Sequence, residues 1–412
     1  MTSSWHHRPE RRLGRSVVAL CIGGALVVSA CSSEPAPTPL SVEFSAASTD
    51  VASSGPSAAP QTQTRTLAAP THEAAESKPA SIDVAEVKRQ VELYLSPGGR
   101  YDELIKSIVI TVDGQPVVQH FSADSGPDVH HNGYSVTKSV MSMLIGIAIE
   151  EGAIAGVDRT LADLLPQYVP VMAPGVGAVT LEQVLTMTGG IVEDEFFTAY
   201  APTADWTQVT LSRPLSRPPG TGFAYSSPGS HLLSAILTKA TGQSTLDYAR
   251  EKLFGPLQIE SQPAAEPTLA VADIPAYDRA AGFGWSTDPQ GLNLGFVDLK
   301  LTATDMTKLG QLNLDEGRWQ GHQVLPAGWV RTSTSAVVPW DAGPGGYGYQ
   351  WWISESHGYR VFAAMGRGGQ LIEVIPDLRM IVVVSCLNGV AAFDPESFGQ
   401  LVNQIVDQAV AG

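Results

Sequence analysis

Ser135-Val136-Thr137-Lys138 sets a hydroxyl and an amine three residues apart, at the start of an apolar run that continues to Glu151. On a helix, residues i and i+3 share a face, so the Lys138 amine reaches the Ser135 hydroxyl. A neutral amine takes a serine proton once burial or a neighbouring cation lowers its pKa from about 10.4. The helix N-terminus adds free N–H groups where an oxyanion would form. The spacing alone is weak evidence. With 8 Lys and 36 Ser in 412 residues, chance supplies about 0.7 such pairs. A helix cap beside a solvated lysine has the same signature.

Two further segments carry compatible chemistry. Tyr225-Ser226-Ser227 follows the turn Pro218-Pro219-Gly220-Thr221-Gly222 and precedes a helix. Its phenol can relay protons between nucleophile and leaving group; a core tyrosine with a bonded hydroxyl is the plainer alternative. Gly366-Arg367-Gly368-Gly369-Gln370 opens a late strand. Gly369 and its neighbours let backbone approach a ligand closely, so the Gln370 N–H can complete an oxyanion hole with that of Ser135. Arg367 can hold a carboxylate bidentately, or it is a solvated arginine in a tight loop.

These segments need a scaffold, and the pattern supplies one. Ile108–Val112, Asp113-Gly114 and Pro116–His120 read as a β-hairpin, with Asp-Gly giving the positive φ of a tight turn. Ser135–Glu151 reads as a helix apolar on nearly every face, hence buried. Helical segments follow at Leu161–Leu165, Leu181–Met187, Gly229–Thr241 and Thr245–Phe254. Strand signals return at Tyr347–Ile353, Arg360–Ala364, Gln370–Ile375 and Met380–Ser385, and a helix over Pro395–Ala409 closes the chain. Strands at both ends with helices between predict one sheet built from the two termini, carrying a helical insertion over about 152–295.

At this point the chain resembles the serine hydrolases that include class C β-lactamases, D-alanyl-D-alanine carboxypeptidases, related esterases and 6-aminohexanoate-dimer hydrolases. The likeness runs from about Gln115 to the C-terminus. Beyond the three motifs it includes Val179–Gly190, Pro219–Ser226 with its continuation through Leu232–Ile236 to Gly242, Leu253–Leu257 and Tyr347–Trp352. The resemblance implies a β-lactamase/transpeptidase-like α/β (α+β) fold, an antiparallel sheet flanked by helices with a mostly helical insertion. It implies Ser135 as acylated nucleophile, Lys138 as its partner and Tyr225 as the catalytic tyrosine. It implies no metal and no organic cofactor. Two departures stand out. The Tyr-x-Asn of the lactamase and peptidase branches ends here in Ser227, and their Lys-Thr-Gly becomes Arg367-Gly368-Gly369. The missing Lys and Thr help hold a substrate carboxylate in those branches, so the expectation shifts toward small esters and amides.

The remaining features bound where and on what the chain acts. A 43% hydrophobic content excludes a wholly disordered protein, and a formal charge of −16 disfavours nucleic acid as a partner. Arg8, Arg11, Arg12 and Arg15 precede a short apolar run, Val17 to Ala30. At 14 residues the run falls short of the roughly 20 needed to span a bilayer and fits a signal-peptide core. It ends in Val28-Ser29-Ala30-Cys31, similar to a bacterial lipobox, which makes Cys31 the expected lipidation site and residues 1–30 the signal peptide. The Arg11-Arg12 pair leaves twin-arginine export open. Residues 31–80 hold one aromatic, Phe44, and are mostly Ala, Ser, Pro and Thr, too little apolar surface to order; they read as a tether. Residues 81–412 form the folded part, and Cys386 reads as a buried strand thiol.

The leading expectation is an envelope-anchored serine hydrolase, membrane-bound through its lipid and acting on small ester, amide or peptide-like substrates. Alternatives are a β-lactamase or D-alanyl-D-alanine carboxypeptidase, and a non-catalytic cell-wall-binding lipoprotein. His130-His131 reads as a solvated loop pair without further zinc ligands. Glu193-Asp194-Glu195 reads as a loop charge cluster, and Trp206, Trp351 and Trp352 as core.

Overall fold

A computed structural model describes residues 82–96, 104–193, 200, 202–269, 273–339, 345–356, 358–387 and 410. The expected signal peptide, tether and closing helix over 395–409 lie outside the described residues.

Helix α1 (Val84–Tyr94) starts at Asp83, whose carboxylate accepts the N–H groups of Ala85 and Glu86. The hairpin follows as β1 (Ile105–Val112) and β2 (Gln115–Phe121). Its loop residues Asp113 and Gly114 have φ of 51° and 72°, the two left-handed positions a type I′ turn requires. Next come β3 (His131–Asn132) and α2 (Val136–Glu150). The insertion carries α3 (Leu161–Leu164), α4 (Leu181–Leu185), α5 (Trp206–Leu211), α6 (Ser227–Thr241), α7 (Thr245–Ala249) and α8 (Ile274–Arg279). It closes through β4 (Gly284–Trp285) and β5 (Leu299–Leu301). The last part holds α9 (Ala303–Leu314), β6 (Arg318–Trp319), β7 (His322–Gln323), α10 (Ala327–Ser333) and β8 (Val338–Pro339). It ends with β9 (Gly346–Tyr347), β10 (Trp352–Ser356), β11 (Tyr359–Gly366), β12 (Gln370–Ile375) and β13 (Met380–Cys386).

Among the described residues the main sheet has eight antiparallel strands in the order β2-β1-β13-β12-β11-β10-β9-β8. The N-terminal hairpin thus joins the C-terminal strands, as the pattern predicted. Strand β13 lies inside the sheet and is buried on both faces, which is why its sequence is a continuous apolar run rather than an alternation. Ile381 and Val383 face one layer, with α2, α6 and α9. Met380, Val382 and Val384 face the other, with Val87 and Val91 of α1. A small sheet, β3-β5-β4, ties the two ends of the insertion together and pairs Asn132 with Lys300.

Three expected elements differ. The single strand over Tyr347–Ile353 is split into β9 and β10 by Gln350, at φ 63°. Its N–H goes to Leu185 O and its side chain to Val184 O, Leu185 O and Ser230 Oγ, not to a neighbouring strand. The helix from Leu181 stops at Leu185, since Met187 turns to φ 59°. The helix from Thr245 becomes a π-turn over Arg250–Phe254, where Gly255 N–H reaches back to Arg250 O.

Candidate active site

Ser135 is the N-cap residue of α2, yet its side chain makes no capping bond and its backbone is at φ −71°, ψ −4°. An N-cap serine ordinarily accepts the N–H of N2 or N3. Here the hydroxyl is turned to two other groups. The Lys138 Nζ lies 3.1 Å from Ser135 Oγ, and the Tyr225 hydroxyl donates to the same oxygen at 3.0 Å. The three residues singled out from the sequence therefore meet on one oxygen, brought there by α2 and by the segment leading into α6.

Lys138 is 2% exposed, because every residue of α2 from Val136 to Ala148 is buried. Besides Ser135 its amine meets Phe296 O at 3.0 Å and Ser227 Oγ at 3.4 Å. It also sits 4.8 Å from the Tyr225 ring centroid. Two acceptors besides the Ser135 hydroxyl match the two N–H bonds of a neutral amine, leaving its lone pair directed at Ser135. The ammonium form is equally accommodated, as three donors meet three oxygens. Ser227, standing where the resemblance puts asparagine, thus keeps a polar contact to the amine.

The N-terminus of α6 closes the site. Ser226 caps it by accepting Gly229 N–H at 3.0 Å, and the exposed Glu193 carboxylate accepts Ser227 N–H. A carboxylate at a helix N-terminus is favoured by the dipole. The Tyr225 ring stacks on Trp352, with centroids 6.0 Å apart and planes 18° from parallel. Trp352 is half-buried, unlike the fully buried Trp206 and Trp351; it walls the site, which the sequence reading had assigned to core. Its position beside Tyr225 has no sequence signal, for 127 residues separate the two.

The glycine-rich segment is the β11–β12 turn. Gly368 and Gly369 take φ of 78° and 87°, and Gly366 lies so close to the residue before Tyr134 that an added Cβ would stand 2.1 Å from Gly133 O. The turn therefore packs on the loop that delivers Ser135. Arg367 is exposed, and its charge acts on the Tyr134 hydroxyl. Gln370 is buried, and its side chain bonds the Cys386 backbone from both ends, Nε2 to O at 3.0 Å and Oε1 from N at 3.4 Å. That carboxamide pins β12 to β13. Cys386 itself is buried, and burial pushes its thiol up to about 12.

His130-His131 is not the solvated pair expected. His131 opens β3 and meets Ser125 Oγ at 2.7 Å, while burial, with Lys300 and Lys106 nearby, pulls its imidazole down to about 4. His130 Nδ1 contacts Ala281 O. Of Glu193-Asp194-Glu195, the last two lie outside the described residues. Among the described residues no group of three His, Cys, Asp or Glu is placed to hold a metal ion.

Comparison with known proteins agrees with this fold. The Beta-lactamase family model matches residues 102–394. Penicillin-binding protein 4 of Amycolatopsis lactamdurans is 25% identical over 292 residues, 66% of this chain and 76% of that one. The 6-aminohexanoate-dimer hydrolase of Paenarthrobacter ureafaciens is 25% identical over 312 residues, 69% and 73% of the two chains. The structure of a penicillin-binding protein homologue from Caulobacter crescentus superposes with a TM-score of 0.60 at 20% identity, covering 81% of this chain and 99% of that one. With the fold, the family match and these relatives in agreement, the chain belongs to the beta-lactamase family and is a serine hydrolase of amide or ester bonds.

Proposed function

We propose that this is an envelope-anchored hydrolase of small esters or amides that works through an acyl-enzyme on Ser135. The observation that carries the reading is the convergence of Lys138 Nζ and Tyr225 OH on one Ser135 oxygen, at 3.1 and 3.0 Å. Ser135 Oγ attacks the carbonyl carbon as its proton passes to the Lys138–Tyr225 pair. In this reading the Ser135 N–H and the Gln370 N–H beside the β11–β12 turn are the donors for the developing oxyanion. The C–N or C–O bond then breaks as the leaving group takes its proton through Tyr225. Water releases the acyl group by the reverse route.

The anchor in this reading is a lipid on Cys31, supported by the Arg-flanked 14-residue apolar run and the Val-Ser-Ala-Cys ending. Two acyl chains or more give stable attachment where one is marginal. An exposed Arg367 beside Tyr134 favours a second substrate reading, a carboxylate-bearing, peptide-like or penicillin-like compound.

One experiment separates these. Parent and Ser135→Ala chains are incubated with a fluorophosphonate, a short-chain p-nitrophenyl ester and a penicillin, and intact mass and product are followed. Labelling and ester turnover that vanish in Ser135→Ala are expected. A persistent penicilloyl mass on Ser135 moves the peptidase reading ahead. Equal behaviour of the two chains removes Ser135 from the mechanism. Incorporation of a palmitate analogue that survives Cys31→Ser removes the anchor.

A further inference from the structure

The residue before Ser135 is under backbone strain, and a cluster of buried and half-buried polar side chains is built around it. Tyr134 has φ 45°, a left-handed conformation that is rare and costly for a bulky residue. Its N–H is held by Asn132 Oδ1 at 2.9 Å. Asn132 is wholly buried, and both protons of its amide are engaged, one on Asp278 Oδ1 at 2.9 Å and one on Asp298 Oδ1 at 2.8 Å. The second Asp278 oxygen accepts the Tyr134 hydroxyl at 3.2 Å. Every polar atom of the Asn132 carboxamide thus has a named partner. The two carboxylates, being acceptors, also decide which end of the amide faces Tyr134.

We infer that Asn132 is a positioning residue: oriented by Asp278 and Asp298, it holds Tyr134 in its left-handed turn and so aims the Ser135 hydroxyl at Lys138 and Tyr225. The chain reaches Ser135 from β3, which runs antiparallel to β5, and must turn sharply to enter α2. Gly133 is tied to Leu299 O at 2.9 Å on one side of that turn, and α2 begins with Val136 N–H on Gly133 O at 3.0 Å on the other. Tyr134 is the one residue available to absorb the change of direction. Without the bond from Asn132 it relaxes toward negative φ. Ser135 then swings back to the ordinary N-cap geometry, in which its oxygen faces the helix N–H groups instead of the amine. The inference rests on the reading of Ser135 as the nucleophile.

The test is a double-mutant cycle in the full chain, since glycine adopts positive φ without a clamp. Asn132→Ala is made in the parent and in the Tyr134→Gly background, and kcat and KM are measured on a p-nitrophenyl ester beside the rate of fluorophosphonate labelling at Ser135. In the parent, kcat and labelling rate fall about tenfold or more with KM little changed. In the Tyr134→Gly background, the same substitution costs less than about threefold. An equal loss in both backgrounds overturns the inference, as does no loss in the parent, or a Tyr134→Gly chain as slow as Asn132→Ala. If Asn132→Ala does not fold, Asn132→Ser takes its place in the cycle. A parent chain that is never labelled at Ser135 sinks the nucleophile reading itself, whereas a labelled parent without coupling sinks only the role of Asn132.

Discussion

Among the described residues two lysines are buried, and the groups around them differ. Lys138 and Lys300 are 2% and 0% exposed. Lys300 points into a closed polar nest: it donates to Tyr277 O at 2.8 Å and to Ala280 O, and it lies over the Tyr277 ring. Burial drags its pKa down to about 8, against the opposing pull of Asp278 and Asp298. Lys138 instead meets a carbonyl and two serine hydroxyls, with no carboxylate in ion-pair distance among the described residues. A carbonyl oxygen has no proton to give, whereas a hydroxyl has one. The same buried amine is therefore held by carbonyls alone in one place and faces two hydroxyls in the other.

Identical substitutions at the two sites should give opposite results. Lys138→Met is expected to lower turnover of a p-nitrophenyl ester by about 10³-fold. Its urea midpoint should be unchanged or higher, because an amine no longer has to be buried. A folded Lys138→Met chain with near-parental turnover would end the comparison. Lys300→Met should lose about 3 kcal/mol of stability, as two carbonyls lose their donor and Asp278 and Asp298 lose their nearby cation. The folded fraction keeps most of its turnover. Urea unfolding at pH 7 reads the loss, and a Lys300→Met chain as stable as its parent would show that the nest is not held by the amine.

The smallest effect sharpens the contrast through pH. Because the folded chain holds the Lys300 proton less tightly than the unfolded chain, whose lysine titrates near 10.5, unfolding takes up a proton between about pH 8 and 10.5. The stability that Lys300 contributes must then rise with pH across this window and be flat below it. The gap between parent and Lys300→Met should widen by about 1 kcal/mol from pH 8 to 9. A gap that narrows instead would place the charged form of Lys300 at an advantage in the fold.

Much of this site could be read before any fold was known. Ser135 and Lys138 lie within one helical turn, and Tyr225 sits at a turn-to-helix junction marked by Pro218–Gly222. The strands β12 and β13 and the Asp113-Gly114 hairpin were equally visible, since apolar runs and a two-residue turn are local signals. Most of what escaped was non-local. The carbonyl of Phe296 reaches Lys138 across 158 residues, and Trp352 reaches Tyr225 across a similar span. The strand expected over Tyr347–Ile353 broke because Gln350 finds its partners on α4 and α6 rather than on a neighbouring strand. Helices α1 and α9 are the local exceptions, marked in the sequence by their caps, Asp83 and the Thr302–Asp305 box.

The sequence by itself determined the pairing of hydroxyl and amine on one helical turn, the burial of that helix and the sheet that closes on the N-terminal hairpin. All of these follow from spacings shorter than about 20 residues or from apolar pattern. Only the tertiary structure decided that the Ser135 oxygen faces Lys138 and Tyr225 rather than capping its own helix. It also decided that Tyr134 sits in a left-handed turn with its N–H on Asn132, and that one buried lysine faces serine hydroxyls while the other meets carbonyls alone. Those outcomes depend on which acceptors distant segments bring to a given atom, and a linear sequence records the atoms but not their neighbours.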